Sequence, residues 1–179
     1  MKGYLDLIIG PMFSGKTSSL INHYNRYRVY NQKVCIINYE GDTRYTNHGI
    51  STHDKIIVHC IMCKTMKEII DKYVDDFDVF LINEGQFFRD LFESVHYLVE
   101  TKHKRVHIAA LDGSFKREPI GDVLKLIPLC DNVEKKHAVC VLCDDGTNAI
   151  FSKRLSKDTN EILINSTDYI AVCRNHYHK

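Results

Sequence analysis

Long apolar runs are missing from this sequence. No stretch approaches the roughly 18 residues needed to cross a bilayer, so no membrane partner is expected. The first strand-like run begins by about Tyr4, which leaves no room for a secretory leader. An excess of charge of one sign is missing too. With 24 Lys and Arg against 23 Asp and Glu the net charge is +1, which argues against a bulk polyanion, and so against nucleic acid, as the partner. Three prolines and nine glycines leave few candidate linkers, and there is no internal repeat or low-complexity segment. What remains is ordinary globular material. Of 179 residues 44% are apolar, enough for a core in one domain, or in one domain plus a small module.

The chain is organised around Gly10-Pro11-Met12-Phe13-Ser14-Gly15-Lys16-Thr17, the G-x-x-x-x-G-K-[ST] phosphate-binding pattern. A buried-strand run, Tyr4 to Ile9, precedes it, and an amphipathic helix with Leu20, Tyr24 and Tyr27 on one face runs from Thr17 to about Tyr30. A loop between strand and helix aims backbone N–H groups at an anion, and the helix N-terminus favours negative charge. Lys16 is suited to reach the β- and γ-phosphates of ATP and Thr17 to ligate Mg²⁺. The alternative is a Gly/Pro turn that matches by chance. Seven cysteines, an odd count, together with an ATP-binding motif argue for the reducing cytoplasm, with thiols free or metal-bound.

Beyond the first helix, Lys33 to Asn38 reads as a strand, Tyr39 to Lys55 as a long polar loop and Ile56 to Val58 as a further strand. Met66 to Tyr73 reads as a helix, Asp78 to Asn83 as a buried strand, Phe87 to Lys102 as a second clear helix, Val106 to Leu111 as a strand and Ile120 to Ile127 as a short helix. Strands separated by helices predict an α/β fold, a mostly parallel sheet flanked by helices, with its ligand at the C-terminal strand ends. The phosphate loop, Asn83-Glu84 and Asp112 all fall at such ends.

From about Ala138 the texture changes to short β-like runs, among them Glu161 to Ile164, so we expect a phosphate-loop α/β unit over 1–137 and a small β module over 138–179. Cys140-Val141-Leu142-Cys143 and Cys173-Arg174-Asn175-His176 have zinc-ribbon spacing, and a closed Cys₃His site would be structural. His178 is an alternative to His176. The pair Cys60 and Cys63 could be a zinc half-site or a redox C-x-x-C. With no second ligand pair and no strand-to-helix redox context, two apolar cysteines in a packed segment is the preferred reading.

With the phosphate loop, Asn83-Glu84-Gly85-Gln86-Phe87-Phe88 and the cysteine tail in view, the chain resembles a type II thymidine kinase over nearly its full length. Asp42-Thr43-Arg44-Tyr45, Thr52-His53-Asp54, Ala110-Leu111-Asp112-Gly113-Ser114-Phe115 and Phe151-Ser152-Lys153-Arg154-Leu155 carry the same resemblance, and the short length is similar to the poxvirus versions. The resemblance implies ATP- and Mg²⁺-dependent phosphorylation of the thymidine 5′-hydroxyl, deoxyuridine as a secondary substrate, a structural Zn²⁺, a homotetramer and feedback inhibition by thymidine triphosphate. It makes Glu84 the catalytic base, with Lys16 and Arg44 beside it. Residues 10–17, Asp42, Asn83 and Gln86 would hold ATP and its metal. Met12, Leu111 and Phe115 would form the base pocket, with Phe115 stacked on thymine. Ile164, Asn165, Ser166, Thr167 and Tyr169 would form a lasso loop over the nucleoside, anchored by the zinc module. Taken singly, Glu84 could be a surface carboxylate, Phe115 core and Arg44 a solvated charge; the joint pattern favours function.

Three positions depart from the family pattern. Asn83 stands where an aspartate usually holds Mg²⁺; a neutral carbonyl is a weaker ligand for a hard cation. Ile164-Asn165-Ser166 stands in place of Ile-Gly-Gly with one residue fewer, and His176 replaces a cysteine ligand, a swap zinc accepts. Asn83 and the lasso raise a rival, a nucleotide-binding protein with weakened catalysis. A zinc-ribbon nucleic-acid-binding ATPase, suggested by Lys102-His103-Lys104-Arg105, is disfavoured by the balanced charge.

Overall fold

The computed structural model describes residues 2–42, 49–51, 57–156 and 168–178. Apolar runs form the strands β1 (Tyr4–Gly10), β2 (Val34–Tyr39), β6 (Val79–Asn83) and β7 (Arg105–Leu111). Shorter pieces follow the same course: β3 (Gly49–Ser51), β4 (Ile57–His59), β5 (Ile61–Cys63) and β8 (Asn132–Lys135). Six strands make the central sheet in the order β5-β2-β6-β7-β1-β8, with every pair parallel.

Alternation along the strands sorts side chains to two faces. Ile36, Val79, Leu81 and Ala109 meet Leu20 and Ile21 of α1 (Lys16–Val29). Leu5, Leu7, Ile37, Phe80, Ile82 and Ile108 meet the other helices, α2 (Met66–Tyr73) and α3 (Leu91–His96). Each fully buried Leu, Ile or Phe contributes about 1.5–3 kcal/mol relative to exposure.

A buried carboxylate interrupts the apolar α1 face. Asp6 is 3% exposed, stands opposite His107 in the β1–β7 register and accepts hydrogen bonds from His107 and Asn132. Burial alone would push its carboxyl up, but those two hydrogen bonds and the nearby imidazoles outweigh it and hold it below the ordinary carboxylate range.

Several expectations are corrected. The helix expected over 87–102 begins only at Leu91. A 3₁₀ turn (Gly85–Phe87) comes first, Phe88 is extended, and the Asp90 carboxylate is committed to the Met66 and Lys67 N–H groups at the start of α2 (3.0 and 2.8 Å). The last turn, Tyr97–Thr101, is π-helical. The helix expected over 120–127 is a 3₁₀ segment (Val123–Leu129) containing Pro128, which has no N–H to give. The long polar loop carries β3, and β3 pairs antiparallel with β4, so the 56–58 run joins a hairpin and not the main sheet.

Cys60 and Cys63 do lie in strand-to-helix context, because Cys63 ends β5 just before α2. Burial nevertheless pushes the Cys63 thiol up to about 12, and Cys35 likewise, so neither offers a thiolate. The packed-segment reading stands, with the Cys60 thiol against Met62 sulfur at 3.5 Å. The polar strand β8 was not anticipated.

From Ala138 the chain forms two small antiparallel pairs, β9 (Ala138–Val139) with β10 (Asn148–Ala149) and β11 (Phe151–Arg154) with β12 (Tyr169–Val172), then a single helical turn, α4 (Arg174–Tyr177). Their core is Ala138, Cys140, Ala149, Ala171, Val172 and Cys173. The run at 161–164 lies outside the described residues. Among the described residues no helix is long and apolar enough to cross a membrane.

Candidate active site

The C-terminal ends of β1, β6 and β7 lie side by side and carry the expected groups. Gly10 is in register with Leu111, and Asn83 with Ala109. Residues 10–17 turn directly from β1 into α1. Gly10 has φ +148°, and a Cβ there would sit 2.4 Å from the Lys136 carbonyl; Gly15 has φ +77°. The first position excludes a larger residue by contact, and the second disfavours one by its backbone alone. Pro11 and Ser14 are buried, with the Ser14 hydroxyl donating to the Pro11 carbonyl (2.8 Å). Lys16 Nζ curls over the loop to Pro11 O (2.6 Å) and Ser14 Oγ (3.4 Å). Phe13, with φ +63°, is 40% exposed and lines an apolar cavity of about 410 Å³ with Val139, Val141 and Tyr169.

A chain of neutral polar groups crosses beneath the loop. The half-buried Thr17 hydroxyl donates to Asn83 Oδ1 (3.2 Å), and Asn83 Nδ2 donates to Asn38 Oδ1 (2.9 Å). Asn38 and Asn83 are buried. Glu84 follows in a left-handed conformation (φ +54°, ψ +41°), an uncommon backbone for a side chain of this kind, and one that turns it off the strand end. Gln86 braces it: the amide NH₂ donates to Glu84 Oε2, while its oxygen accepts from the Leu111 N–H (3.0 Å). Asp42 is buried in the turn after β2, its N–H bonded to Tyr39 O at 2.9 Å. Asp112 is paired with Lys135 at 2.9 Å.

The C-terminal module reaches this edge at two points that sequence reasoning left without a role. Ser152 Oγ accepts the Met12 N–H (2.9 Å), tying β11 to the phosphate loop. Arg154, 9% exposed, lies over the Phe115 ring at 3.8 Å from its centroid and donates through Nε to the Tyr169 hydroxyl (3.0 Å). Phe115 is held from behind as well, its carbonyl accepting from the Tyr177 hydroxyl (2.6 Å). The only sequence signal was the 151–155 motif itself. Arg44, Ile164, Asn165, Ser166 and Thr167 lie outside the described residues.

Cys140, Cys143, Cys173 and His176 converge. The Cys143 and Cys173 sulfurs are 3.7 Å apart, and His176 Nδ1 is 3.3–3.5 Å from all three sulfurs. Tetrahedral zinc with bonds of about 2.3 Å to sulfur and 2.0–2.1 Å to nitrogen requires separations of roughly 3.6–3.8 Å, so the donor set fits the metal. Burial pushes the Cys140 thiol up, but backbone hydrogen bonds from Cys173 and Leu142 and the His176 ring outweigh it and bring it down to about 6, toward the thiolate a metal needs. His178 is not in the cluster; its Nε2 is 3.3 Å from Arg117.

The sequence profile of the family described as thymidine kinase matches residues 3–177. The chain is 44% identical to the thymidine kinase of raccoon poxvirus, 42% to that of sheeppox virus (strain KS-1) and 39% to that of myxoma virus (strain Uriarra). In each case 176 residues align, covering 98% of this chain and 96–97% of the relative.

Proposed function

The chain belongs to the thymidine kinase family and phosphorylates thymidine to thymidine monophosphate, and from that premise we propose how its residues divide the work. ATP is the donor typical of the family. The observation that carries the reading is the phosphate loop and Glu84 at the same C-terminal edge of the sheet, on β1 and β6 with β7 between them, and with Gln86 bonded to the carboxylate.

Residues 10–17 cradle the triphosphate through backbone N–H groups at the start of α1, whose first turn contains no acidic residue to repel it. Lys16 neutralises the transferring phosphoryl group, a role to which Arg44 and Asp42 are assigned as well by the family resemblance. Glu84 accepts the proton of the thymidine 5′-hydroxyl as that oxygen attacks the γ-phosphorus in line. Thr17 and Asn83 would hold Mg²⁺, which would supply charge neutralisation of the phosphates, and the neutral Asn83 carbonyl would be a weaker ligand than a carboxylate. Asn83 therefore raises the Mg²⁺ requirement without removing catalysis.

Phe115 stacks on thymine, with Met12 and Leu111 shaping the pocket. Residues 164–169 form the lasso, and Arg154 links its Tyr169 to Phe115. Zinc on the Cys₃His cluster anchors the lasso unit, residues 138–179, against the kinase unit, residues 1–137. A homotetramer in the cytoplasm completes the proposal, checked by light scattering on the eluted protein.

The test is transfer of labelled γ-phosphate from ATP to thymidine with Mg²⁺, native protein beside Glu84→Gln. Turnover that collapses in the variant while thymidine binding persists is expected. Equal turnover by both removes Glu84 from the mechanism.

A further inference from the structure

Between β1, β7 and α1, away from the phosphate loop, three side chains converge that the kinase chemistry does not use. Asp6 and His107 face each other in the parallel register, and His23 comes down from α1 six residues after Thr17. Asp6 Oδ2 is 2.8 Å from His107 Nδ1 and 3.3 Å from His23 Nε2, and one ligand atom from each residue lies within 4.8 Å of the others. Asp6 and His107 are 3% and 2% exposed.

Two imidazoles and a carboxylate are a ligand set for zinc and neighbouring first-row ions. With bonds of about 2.0–2.1 Å in a tetrahedron, ligand atoms stand roughly 3.3 Å apart. The His23–Asp6 spacing already meets that distance. The His107–Asp6 spacing needs to open by about half an ångström, well within side-chain adjustment.

The surrounding groups are oriented for a ligand role. Asn132 Nδ2 donates to Asp6 Oδ1 (2.8 Å), which leaves Oδ2 to face the histidines. Tyr27 OH is 2.8 Å from His107 Nε2, so with Nδ1 as ligand the ring keeps its proton on Nε2 and donates it to Tyr27. A cavity of about 510 Å³ opens beside the two imidazoles, walled by Tyr4, Tyr27, Arg26 and Arg105. It leaves room for a water or small anion at a fourth coordination position.

We propose that Asp6, His23 and His107 bind a divalent first-row transition-metal ion, zinc foremost, at a site separate from the C-terminal cysteine–histidine cluster. The ion ties the middle of α1 to β1 and β7 without entering the phosphoryl transfer. It is a clamp on the helix whose first turn carries Lys16 and Thr17, and it stands independently of the roles proposed for those residues.

The test uses full-length protein carrying its cysteine-bound zinc, titrated with Zn²⁺, desalted and counted by elemental mass spectrometry. Two equivalents per chain are expected for the native protein and one for His23→Gln, whose position on α1 is only half-buried. A melting temperature that rises with added Zn²⁺ in the native protein and not in the variant is the second readout, and thymidine phosphorylation stays at the native level in both. Co²⁺ in place of Zn²⁺ adds a spectrum: the second equivalent lacks the thiolate charge-transfer absorption of the first. One equivalent in the native protein overturns the proposal. So does a second equivalent that persists in His23→Gln, since it would then sit on other surface histidines.

Discussion

The central sheet buries Leu5, Leu7, Phe80, Ile82 and Ile108 under α2 and α3, and Leu81 and Ala109 under α1. The C-terminal module has a core of three alanines, one valine and two cysteines, and both cysteines belong to the candidate zinc cluster. The first region has apolar area to hold itself together; the second is small, and a metal on its Cys₃His cluster would stand in for a core. The site is divided the same way. The sheet side carries Lys16, Thr17 and Glu84, groups for phosphate chemistry, whereas the module side brings Ser152, Arg154 and Tyr169 against the loop and Phe115. The contrast predicts that the phosphate-handling groups of the sheet side govern turnover, while the module side, closing on Phe115, contributes to nucleoside binding.

The strongest way to break that division is to remove the zinc. Structural zinc contributes on the order of 10–16 kcal/mol in small zinc-finger peptides, far more than the module core can supply. Cys173→Ser or exhaustive chelation is expected to abolish thymidine phosphorylation while the circular dichroism of the sheet persists and limited proteolysis opens the chain beyond residue 137. Full activity in zinc-free protein would show that the module stands without metal.

Next in size is Glu84→Gln, which acts on the sheet side alone. Loss of a positioned base costs about 10²- to 10⁴-fold in kcat, with the KM for thymidine held within a few-fold. A KM effect larger than the kcat effect would move Glu84 to the binding half.

Arg154→Lys probes the module side. Lysine keeps the charge but loses the planar stack on Phe115 and the fork to Tyr169. A cation–π contact of about 0.5–2 kcal/mol and a hydrogen bond of about 1 kcal/mol together predict a rise of about 10- to 150-fold in the KM for thymidine. Steady-state kinetics showing the loss in kcat instead would erase the division of labour.

The smallest effect is expected at Asn83→Asp. A carboxylate is the better Mg²⁺ ligand, and Asn38 can turn its amide to donate where it now accepts from Asn83. The Mg²⁺ concentration for half-maximal rate should fall by a few-fold; an unchanged Mg²⁺ curve would show that Asn83 does not face the ion.

Legibility followed distance along the chain. The phosphate loop and its flanking strand and helix are local features, and the cysteine spacing gave three of the four zinc-site residues outright; only the convergence of His176, with His178 beside Arg117, separated the two histidines. Long-range meetings were hidden. Asp6 and His107 are 101 positions apart, and Met12 and Ser152 are 140 apart. Nothing in Asn132–Lys135 reads as a strand, because an edge strand exposing every side chain has no hydrophobic alternation to show. The late start of α3 was hidden for a similar reason: Asp90 spends its carboxylate on α2, a partner the local sequence cannot name.

The strand order has a consequence for how the protein is made. Among the described residues β1 pairs with β7 and β8 alone, so its neighbours begin a hundred residues or more after it. At roughly 5–20 residues per second of synthesis, the nascent chain carries its phosphate loop past the ribosome for about 5–20 seconds before that strand has anything to dock on. The segment that turns from β1 into α1 thus waits for strands made long after it before it takes its seat in the sheet.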